Sequence, residues 1–417
     1  MHVSTLMIWA IALLSILFML VRPKGITEAW WVGAGALLLV LFRLVSVRSA
    51  VSALAKGVDV YLFLSGMMVL SELAREEGVF GWVASIAARE ARGSARRLFL
   101  LVYVVGTLVT TLLSNDATAV VLTPAVLAVV RRAGVKPKPY LLICAMIANA
   151  ASFVLPISNP ANLVIFATHM PPLGSWLRTF FLPSLGSILV TLVLLFWISR
   201  RDLQCQPAPG SDIPELSPGG RVALAGLLLS CGVLLGASAL GMALGGPTAV
   251  AALAVMLLVA YKDRGAPLRV VREVSWSILP LVGGLFVIVE AVAPTGLLRA
   301  AVDGLGRLSR LPEVPADLCA GFSVGLLSNA INNLPVGLIS GSALQAASQI
   351  VPDGLRRAVL IGVDLGPNLS VTGSLATILW LIALRREGVE IGSLEFLKAG
   401  ILIMPVALIV SLLLLSA

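Results

Sequence analysis

The sequence predicts an all-α protein that crosses a membrane many times. Of its 417 residues, 59% are hydrophobic and only 12% are charged, whereas soluble proteins have about 25% charged residues. The charges stand in short clusters between apolar stretches of about 16–22 residues, the length that spans a bilayer core as a helix. No long polar segment separates these stretches, so we expect one membrane domain.

Eight apolar stretches predict simple crossings. They lie near residues 6–21, 28–44, 58–74, 183–199, 222–241, 246–261, 274–292 and 396–416. The first has no basic residue before it and no A-x-A motif after it, so we expect a retained span rather than a signal peptide. The net charge of +9 fits basic residues that flank membrane spans, and we do not expect nucleic-acid binding.

Four more apolar regions are interrupted by polar residues. Residues 97–131 are broken at Ser114-Asn115-Asp116, and the run from 140 is broken at PISNP (156–160). Residues 315–345 are broken at SNAINNLP, and residues 358–384 at DLGPN. An unpaired backbone group costs several kcal/mol in hydrocarbon, so a broken helix needs protein or a water-filled cavity around it. Each break is therefore a candidate for a binding site.

The breaks recur along the chain and indicate an internal duplication. LLSN occurs at 112–115 and at 326–329, and ISNPAN (157–162) and VTGSLA (371–376) share the same offset of 214 residues. Gly66, Glu72 and Gly78 match Gly284, Glu290 and Gly296 at an offset of 218. The sequence thus predicts a first membrane repeat at 1–199, a cytoplasmic linker rich in Pro and Gly at 200–221, and a second repeat at 222–417.

We expect each half of the chain to form about five transmembrane helices plus a re-entrant hairpin and a broken helix. Five crossings are an odd number, so the second repeat enters the membrane inverted, as in secondary transporters. With both termini outside the cytoplasm, the cytoplasmic segments hold 21 of the 30 Lys and Arg residues, which the positive-inside rule favours. Arg43, Arg48 and Lys56 oppose this orientation, because it places their loop outside.

Polar residues at the breaks have two interpretations. Ser and Asn cap helix ends, and for each residue alone capping explains Ser114, Asn115, Asn329, Asn332 and Asn333 as well as substrate contact does. Two matching pairs of breaks favour a shared polar pocket at mid-membrane, because helix N-termini carry partial positive charge.

Acidic residues inside a membrane are costly unless they are functional or paired. Asp116 and Asp364 stand at breaks, which favours proton coupling or substrate binding. Glu72 and Glu290 occupy matching positions late in a crossing, where pairing at the helix end, with Arg75 for Glu72, is an equal alternative. We interpret His169, in THMPP, as a loop residue near the surface.

Several function classes lack their motifs. No G-x-x-x-x-G-K-[ST] occurs, so the chain has no P-loop of its own for ATP hydrolysis, and no cluster has the spacing of a metal site. We therefore expect a protein that is not an enzyme and needs no cofactor or metal. Cys144, Cys205, Cys231 and Cys319 show no C-x-x-C spacing, and packing is the favoured interpretation.

Four segments carry a family resemblance that covers nearly the whole chain in order. RPKG after the first span, SNDATAVVLTP, ISNPANLV and DLGPNLSVTGSLATILW resemble the ArsB-type arsenical pump proteins of the ion transporter superfamily. The resemblance implies an inner (plasma) membrane protein that exports arsenite and antimonite in exchange for protons. It also implies a possible homodimer, and in some relatives a soluble ArsA-type ATPase partner.

The family's motif residues carry over to numbered positions here. The resemblance implies substrate-binding positions at Asn115, Ser158, Asn159, Asn162, Asn329, Asn332, Asn333, Gly373 and Ser374, with Gly366 and Pro367 in the same motifs, and proton coupling at Asp116 and Asp364. Two positions depart from some relatives: Asn149 stands where they carry Asp, and Asn368 where they carry Lys. The first departure puts more of any proton coupling on Asp116 and Asp364.

The chemistry of the breaks fits a neutral hydroxylated solute. Arsenite is a neutral trihydroxide at neutral pH, and each hydroxyl can both donate and accept a hydrogen bond. A dicarboxylate would want Arg or several exposed helix N-termini, and no Arg lies at either break. Two alternatives stay open: an Na⁺/H⁺ antiporter that uses oxygens of Asn115, Asp116, Asp364 and Ser374, and a membrane anchor for an ATPase that docks at 200–221. Cys144 and Cys319 are too few for a three-thiolate arsenic site.

Overall fold

The computed structural model describes residues 2–166, 170–205 and 215–416. His169 and residues 206–214 of the predicted linker lie outside the described residues. Within them every regular element is helical, and eight helical segments are long and apolar enough to cross a membrane. Another pair, at 47–56 and 58–76, is bent by 50° at its break and makes up to nine crossings. The predicted all-α membrane fold is confirmed.

The helices of the first half follow in chain order. They are α1 (His2–Val21), α2 (Glu28–Leu41), α3 (Val47–Lys56), α4 (Val58–Glu76), α5 (Val79–Glu90), α6 (Ala95–Leu112), α7 (Asn115–Ala117), α8 (Thr123–Arg132), α9 (Lys138–Ala150), α10 (Pro160–Ile165) and α11 (Leu173–Ser199). A π turn, Thr118–Leu122, joins α7 to α8, and short 3₁₀ turns lie at Pro23–Gly25, Pro156–Ser158 and Asp202–Gln204.

The second half has a closely similar order. Its helices are α12 (Pro218–Ala239), α13 (Gly245–Lys262), α14 (Ala266–Glu273), α15 (Ile278–Val292), α16 (Leu297–Leu308), α17 (Glu313–Ile331), α18 (Asn333–Ala346), α19 (Asp353–Leu365), α20 (Leu375–Arg386) and α21 (Ser393–Leu415). Short 3₁₀ turns lie at Ala293–Thr295, Gly366–Leu369 and Val371–Gly373.

Helix bounds in the two halves correspond. The helices α5 and α16 both have 12 residues, at an offset of 218, and α9 and α19 both have 13 residues, at an offset of 215. Packing is reciprocal, because α4 packs on α13 while α15 packs on α2. These correspondences agree with a duplicated chain; the inverted orientation of the second copy and the domain bounds stay predictions.

One detail of the predicted alignment is wrong. The structure places Ser328 and Asn329 inside α17, about one turn before the break, whereas Ser114 stands at the break itself. The residue that corresponds to Ser114 is Asn332, which caps α18 as Ser114 caps α7. Ser and Asn cap helices about equally well, so an identical LLSN tetrapeptide is a weaker guide to this register than the capping role.

Glycines bring α17 and α19 into close contact. A G-x-x-x-G pattern occurs in α17, at Gly321–Gly325, and at the end of α19, where Gly362 lies in the helix and Gly366 begins the 3₁₀ turn after it. This small-residue spacing lets membrane helices approach closely. A Cβ atom added to Gly366 would lie 2.3 Å from the Cα of Gly325. Asp364 lies between Gly362 and Gly366, so this contact fixes its position in the interior.

Candidate functional site

The four breaks end in four capped helix N-termini. Ser114 Oγ accepts from Ala117 N at the start of α7, and Asn332 Oδ1 accepts from Leu334 N at the start of α18. Asn159 Oδ1 accepts from Ala161 N at α10, and Ser374 Oγ accepts from Thr377 N at α20. All four capping residues are buried. Capping is therefore one role of these polar residues.

These N-termini meet at one small central cavity. Its polar lining is Asn115, Asp116, Asn159 and Asn333, and the first residues of α10 and α20 line it too. Leu64, Ile278 and Val282 supply an apolar wall. No Lys or Arg of the described chain lines this cavity. Backbone N–H groups and amide side chains thus provide hydrogen bonds without a full positive charge.

A larger cavity, the vestibule, leads to the same place. Its volume is about 430 Å³, and Asp116 and Pro160 line both it and the central cavity. Apolar side chains form much of its wall, including those of Phe63, Met67 and Leu379. Charged residues at helix ends line its outer part: Glu72, Arg75, Glu273, Arg386 and Glu387. The vestibule therefore connects a charged mouth to the polar centre.

Ion pairs neutralise much of the charge at the mouth. Arg75 pairs with Glu72, which confirms the helix-end pairing considered for this acid. Glu387 lies 3.7 Å from Arg131 of α8. Outside the vestibule, Glu290, the residue that corresponds to Glu72, pairs with Lys56 at 2.9 Å. The two glutamates are therefore held at helix ends, away from the central cavity.

Asp116 faces the vestibule and is partly exposed to it. Its backbone N–H donates to Asn115 Oδ1 over 2.9 Å. Among the described residues, none donates a hydrogen bond to its carboxylate or forms an ion pair with it. The carboxylate is therefore free to bind a solute or a proton that enters through the vestibule.

Asp364 has different surroundings. It is fully buried and lines neither cavity. Its Oδ1 accepts from Asn159 Nδ2 over 2.8 Å, and its Oδ2 lies 2.8 Å from Ser152 Oγ. Asn159 in turn lines the central cavity, so one side chain separates Asp364 from the site.

A buried amide network lies beside this acid. Asn149 Nδ2 donates to Asn368 Oδ1 over 3.0 Å and to Thr377 Oγ1 over 3.3 Å, while Asn368 Nδ2 donates to Met146 O. Asn149 is the next-to-last residue of α9, as Asp364 is of α19. The residue type at this repeated position is therefore an amide in one half and an acid in the other.

The other expected binding residues contact protein backbone in this conformation. Asn162 Nδ2 donates to Ser152 O, and Ser158 Oγ donates to Thr111 O. Asn329 makes four hydrogen bonds, two from Nδ2 to Gly325 O and Gly366 O and two from Ser370 to its Oδ1. A Cβ atom on Gly373 would lie 2.6 Å from the Cα of Pro367. These residues shape the breaks and do not line the central cavity.

The sequence analysis missed Ser152 and Thr377 as polar members of the interior. Ser152 follows Asn149 by three residues at the end of α9, a spacing at which a Ser hydroxyl reaches a terminal carbonyl. The cysteines do not converge: Cys144 is buried in α9, whereas Cys319 is exposed on α17. In the described part of the chain, no group of three His, Cys, Asp or Glu residues could hold a metal ion.

Comparisons with known proteins agree with this architecture. The chain is 28% identical to an arsenical pump membrane protein of Escherichia coli over 417 residues, which cover 97% of this chain and 96% of the relative. It is 26% identical to one of Yersinia enterocolitica at the same coverage. The solved structure of the Alcanivorax borkumensis YdaH transporter is similar in fold, with a TM-score of 0.57, 16% identity, and coverage of 88% of this chain and 86% of that one.

A sequence model of one family fits most of the chain. The model of the citrate transporter family, CitMHS, matches residues 6–362, which include all the breaks of the first half and the first break of the second. The match, the apolar helices and the relatives agree on a membrane transporter. The chain belongs to the citrate transporter (CitMHS) family.

Proposed function

We propose that the chain is a secondary transporter that exports arsenite and antimonite, as neutral trihydroxides, in exchange for protons. The observation that carries the proposal is the lining of the central cavity, where four helix N-termini and three amides meet and no Lys or Arg of the described chain is present. The cavity has a volume of about 10 Å³ in this conformation, so it must widen to hold the cargo. Hydroxyl groups bind amides and backbone N–H groups well, because each can donate and accept. The curated relatives named as arsenical pumps support the same cargo.

The family name raises citrate as an alternative cargo. A tricarboxylate would need charge-assisted hydrogen bonds, most effectively from Arg. The two Arg residues of the vestibule, Arg75 and Arg386, line it with Glu72, Glu273 and Glu387, and Arg75 is already paired. The converging helix N-termini could bind one carboxylate group, but the described lining of the central cavity adds the acid Asp116 and no Lys or Arg. Two further negative charges of a tricarboxylate would have no cation there, so the site favours a neutral solute over citrate.

In this proposal Asp116 and Asp364 carry the protons. Asp116 lies in the vestibule without a partner among the described residues, and Asp364 lies one side chain behind the central cavity. With both termini outside, the basic helix ends near Arg75 and Arg386 face the cytoplasm. The vestibule would then open inward, as an exporter needs when it loads cargo.

Transport without ATP is the first test. Everted vesicles that carry the chain, energised by a respiratory substrate, should accumulate arsenite, and a protonophore should abolish the accumulation. The assay leaves out ATP and any ArsA-type ATPase, so accumulation would also exclude a role as a passive membrane anchor. Vesicles that fail to accumulate arsenite or antimonite at any proton gradient would contradict the proposal.

An Na⁺/H⁺ antiporter is the second candidate, because the unpaired carboxylate of Asp116 and nearby amide oxygens are the ligand type that hard cations prefer. It predicts a sodium-dependent change of internal pH in the same vesicles without arsenite. A pH change that requires arsenite and ignores sodium would exclude it.

A further inference from the structure

Asp364 belongs to a short chain of buried polar groups. Asn159 Nδ2 donates to Asp364 Oδ1, and Asp364 Oδ2 lies 2.8 Å from Ser152 Oγ. The same Ser152 Oγ lies 2.7 Å from the backbone carbonyl oxygen of Asn149. Ser152 and Asp364 are 0% exposed and Asn159 is 2% exposed. The protonation state of these polar groups can therefore be worked out by counting the hydrogens available to their contacts.

A serine hydroxyl has one hydrogen to donate. The Asn149 carbonyl is an acceptor only, and an ionised Asp364 is an acceptor only. With an ionised Asp364, one of the two short contacts of Ser152 has no hydrogen between its oxygens. With a neutral Asp364, the acid donates to Ser152, and Ser152 donates to Asn149. Each of the three contacts among Asn159, Asp364, Ser152 and Asn149 then has one hydrogen between its two polar atoms.

The charges around Asp364 lead to the same assignment. The packed helices α10 and α18 carry no ionisable residue. The ionisable residues on the other packed helices are Lys138, Tyr140 and Cys144 on α9; Glu313, Asp317 and Cys319 on α17; Glu395 and Lys398 on α21; and Asp353, Arg356 and Arg357 on α19 itself. None of them, nor Asp116, forms an ion pair or a hydrogen bond with Asp364, whose polar partners among the described residues are Ser152 and Asn159. A buried carboxylate without a cation is costly.

We propose that Asp364 carries a proton in this conformation and that Ser152 is the positioning residue that responds to its loss. When the acid gives up its proton, the Ser152 hydroxyl turns from the Asn149 carbonyl to the carboxylate. The carbonyl then loses its hydroxyl donor and keeps backbone contacts only, among them the Ser152 N–H at 3.2 Å. The end of α9 is thereby weakened.

Asn159 connects this change to the cargo site. Its Nδ2 donates to Asp364, its Oδ1 caps α10 at Ala161 N, and its side chain lines the central cavity. A change in the charge of Asp364 therefore alters the residue that positions one of the four N-termini. This inference deepens the proposed proton exchange, and its role in transport depends on that proposal.

Infrared difference spectroscopy of the purified full chain tests the inference without any cargo. At neutral pH the wild type should show the carbonyl band of a protonated carboxylic acid that is absent in Asp364→Asn. In Ser152→Ala the band should move to higher frequency, because the acid loses its acceptor. Ser152→Thr keeps the hydroxyl and should restore the wild-type values.

Ser187→Ala is the matched control. Ser187 is also fully buried, and its hydroxyl donates to the next carbonyl of the same helix end, Ala150 O, over 2.9 Å, with no acid in contact. It should leave the band unchanged. If Ser152→Ala does not fold, Ser152→Cys, with similar size and a weak donor, replaces it.

Three outcomes would overturn the inference: no band that depends on Asp364, a band that ignores the Ser152 substitutions, or an equal shift in Ser187→Ala. The cargo proposal fails separately. Vesicles that do not accumulate arsenite while the band behaves as expected reject the cargo alone, and vesicles that accumulate arsenite without the band reject the inference alone.

Discussion

Asn115 and Asn329 stand at the same point of the LLSN tetrapeptide but should fail in opposite ways when changed to Ala. The Asn329 side chain forms four hydrogen bonds, three of which hold the end of α17 to Gly366 and Ser370 in the segment after α19. The described structure gives the Asn115 side chain one, from Asp116 N, and places Asn115 on the central cavity. One residue thus supports the scaffold, and the other lines the central cavity.

The expected magnitudes follow from these counts. A hydrogen bond contributes about 0.5–1.5 kcal/mol net, and about 0.6 on average between membrane helices. Asn329→Ala should therefore lower the free energy of unfolding by about 2–6 kcal/mol, and Asn115→Ala by about 0.5–1.5 kcal/mol. Arsenite accumulation per folded molecule should fall more in Asn115→Ala.

Thermal unfolding of the purified variants, followed by tryptophan fluorescence, measures the first quantity. Everted vesicles with matched protein content measure the second. Equal thermal shifts would refute the hydrogen-bond argument. Normal accumulation in Asn115→Ala would refute the placement of cargo at the central cavity.

Four further predictions test separate parts of the structure. Asp116→Asn should fold and reach the membrane at wild-type levels but lose proton-coupled accumulation of arsenite; normal coupling would exclude its role. Gly366→Ala should lower the free energy of unfolding by about 1–3 kcal/mol or more, because it overpacks the α17–α19 contact. Gly304 has open space around it, so Gly304→Ala should raise the free energy of unfolding by about 0.5–1 kcal/mol. If thermal unfolding ranks the two variants in the opposite order, the packing argument is wrong. The Arg269 guanidinium and the Gly265 N–H hold the pKa of Asp263 below its usual value. This contact should therefore stabilise the protein above the pKa of an unfolded Asp and lose its effect as pH falls through the folded pKa. The difference in melting temperature between wild type and Asp263→Asn should vanish in acid. A variant that keeps Cys205 as its single cysteine tests the orientation. A membrane-impermeant maleimide should label it in everted vesicles and not in intact cells, which would place the linker in the cytoplasm. Labelling in intact cells only would show that the predicted orientation is wrong.

Hydropathy and broken motifs were enough to predict most of the fold. Crossing lengths follow from the bilayer thickness, and the four polar interruptions in apolar runs each lie at or next to a helix end. Two details were less predictable. The predicted span at 28–44 ends as a helix at Leu41, and Arg43 adopts a left-handed backbone conformation. The alignment of the two halves at LLSN was shifted by about one helical turn, because identical residues indicate equivalent positions less reliably than an equivalent capping role does.

The candidate site was predictable only in part. The sequence showed which polar residues stand at breaks, but it could not separate Asn115, which lines the cavity, from Asn329, which holds a turn. That difference depends on which backbone groups the other half of the chain brings within reach, as with Ser370 and Gly366 beside Asn329. The partners of Asp364 were equally hidden, since Ser152 and Asn159 lie 212 and 205 residues away in sequence.

The π turn between α7 and α8 has a rotational consequence. An α-helix advances about 100° per residue, and a π turn accommodates one extra residue within an otherwise α-helical segment. Deleting one residue from 118–122 would let the segment close as a regular helix, with Thr123 no longer bonded to the carbonyl of Thr118. Asp116 would then turn by about 100° relative to α8. The direction in which this carboxylate faces is thus fixed by chain length as much as by residue type, and a substitution scan that leaves length unchanged would not detect it.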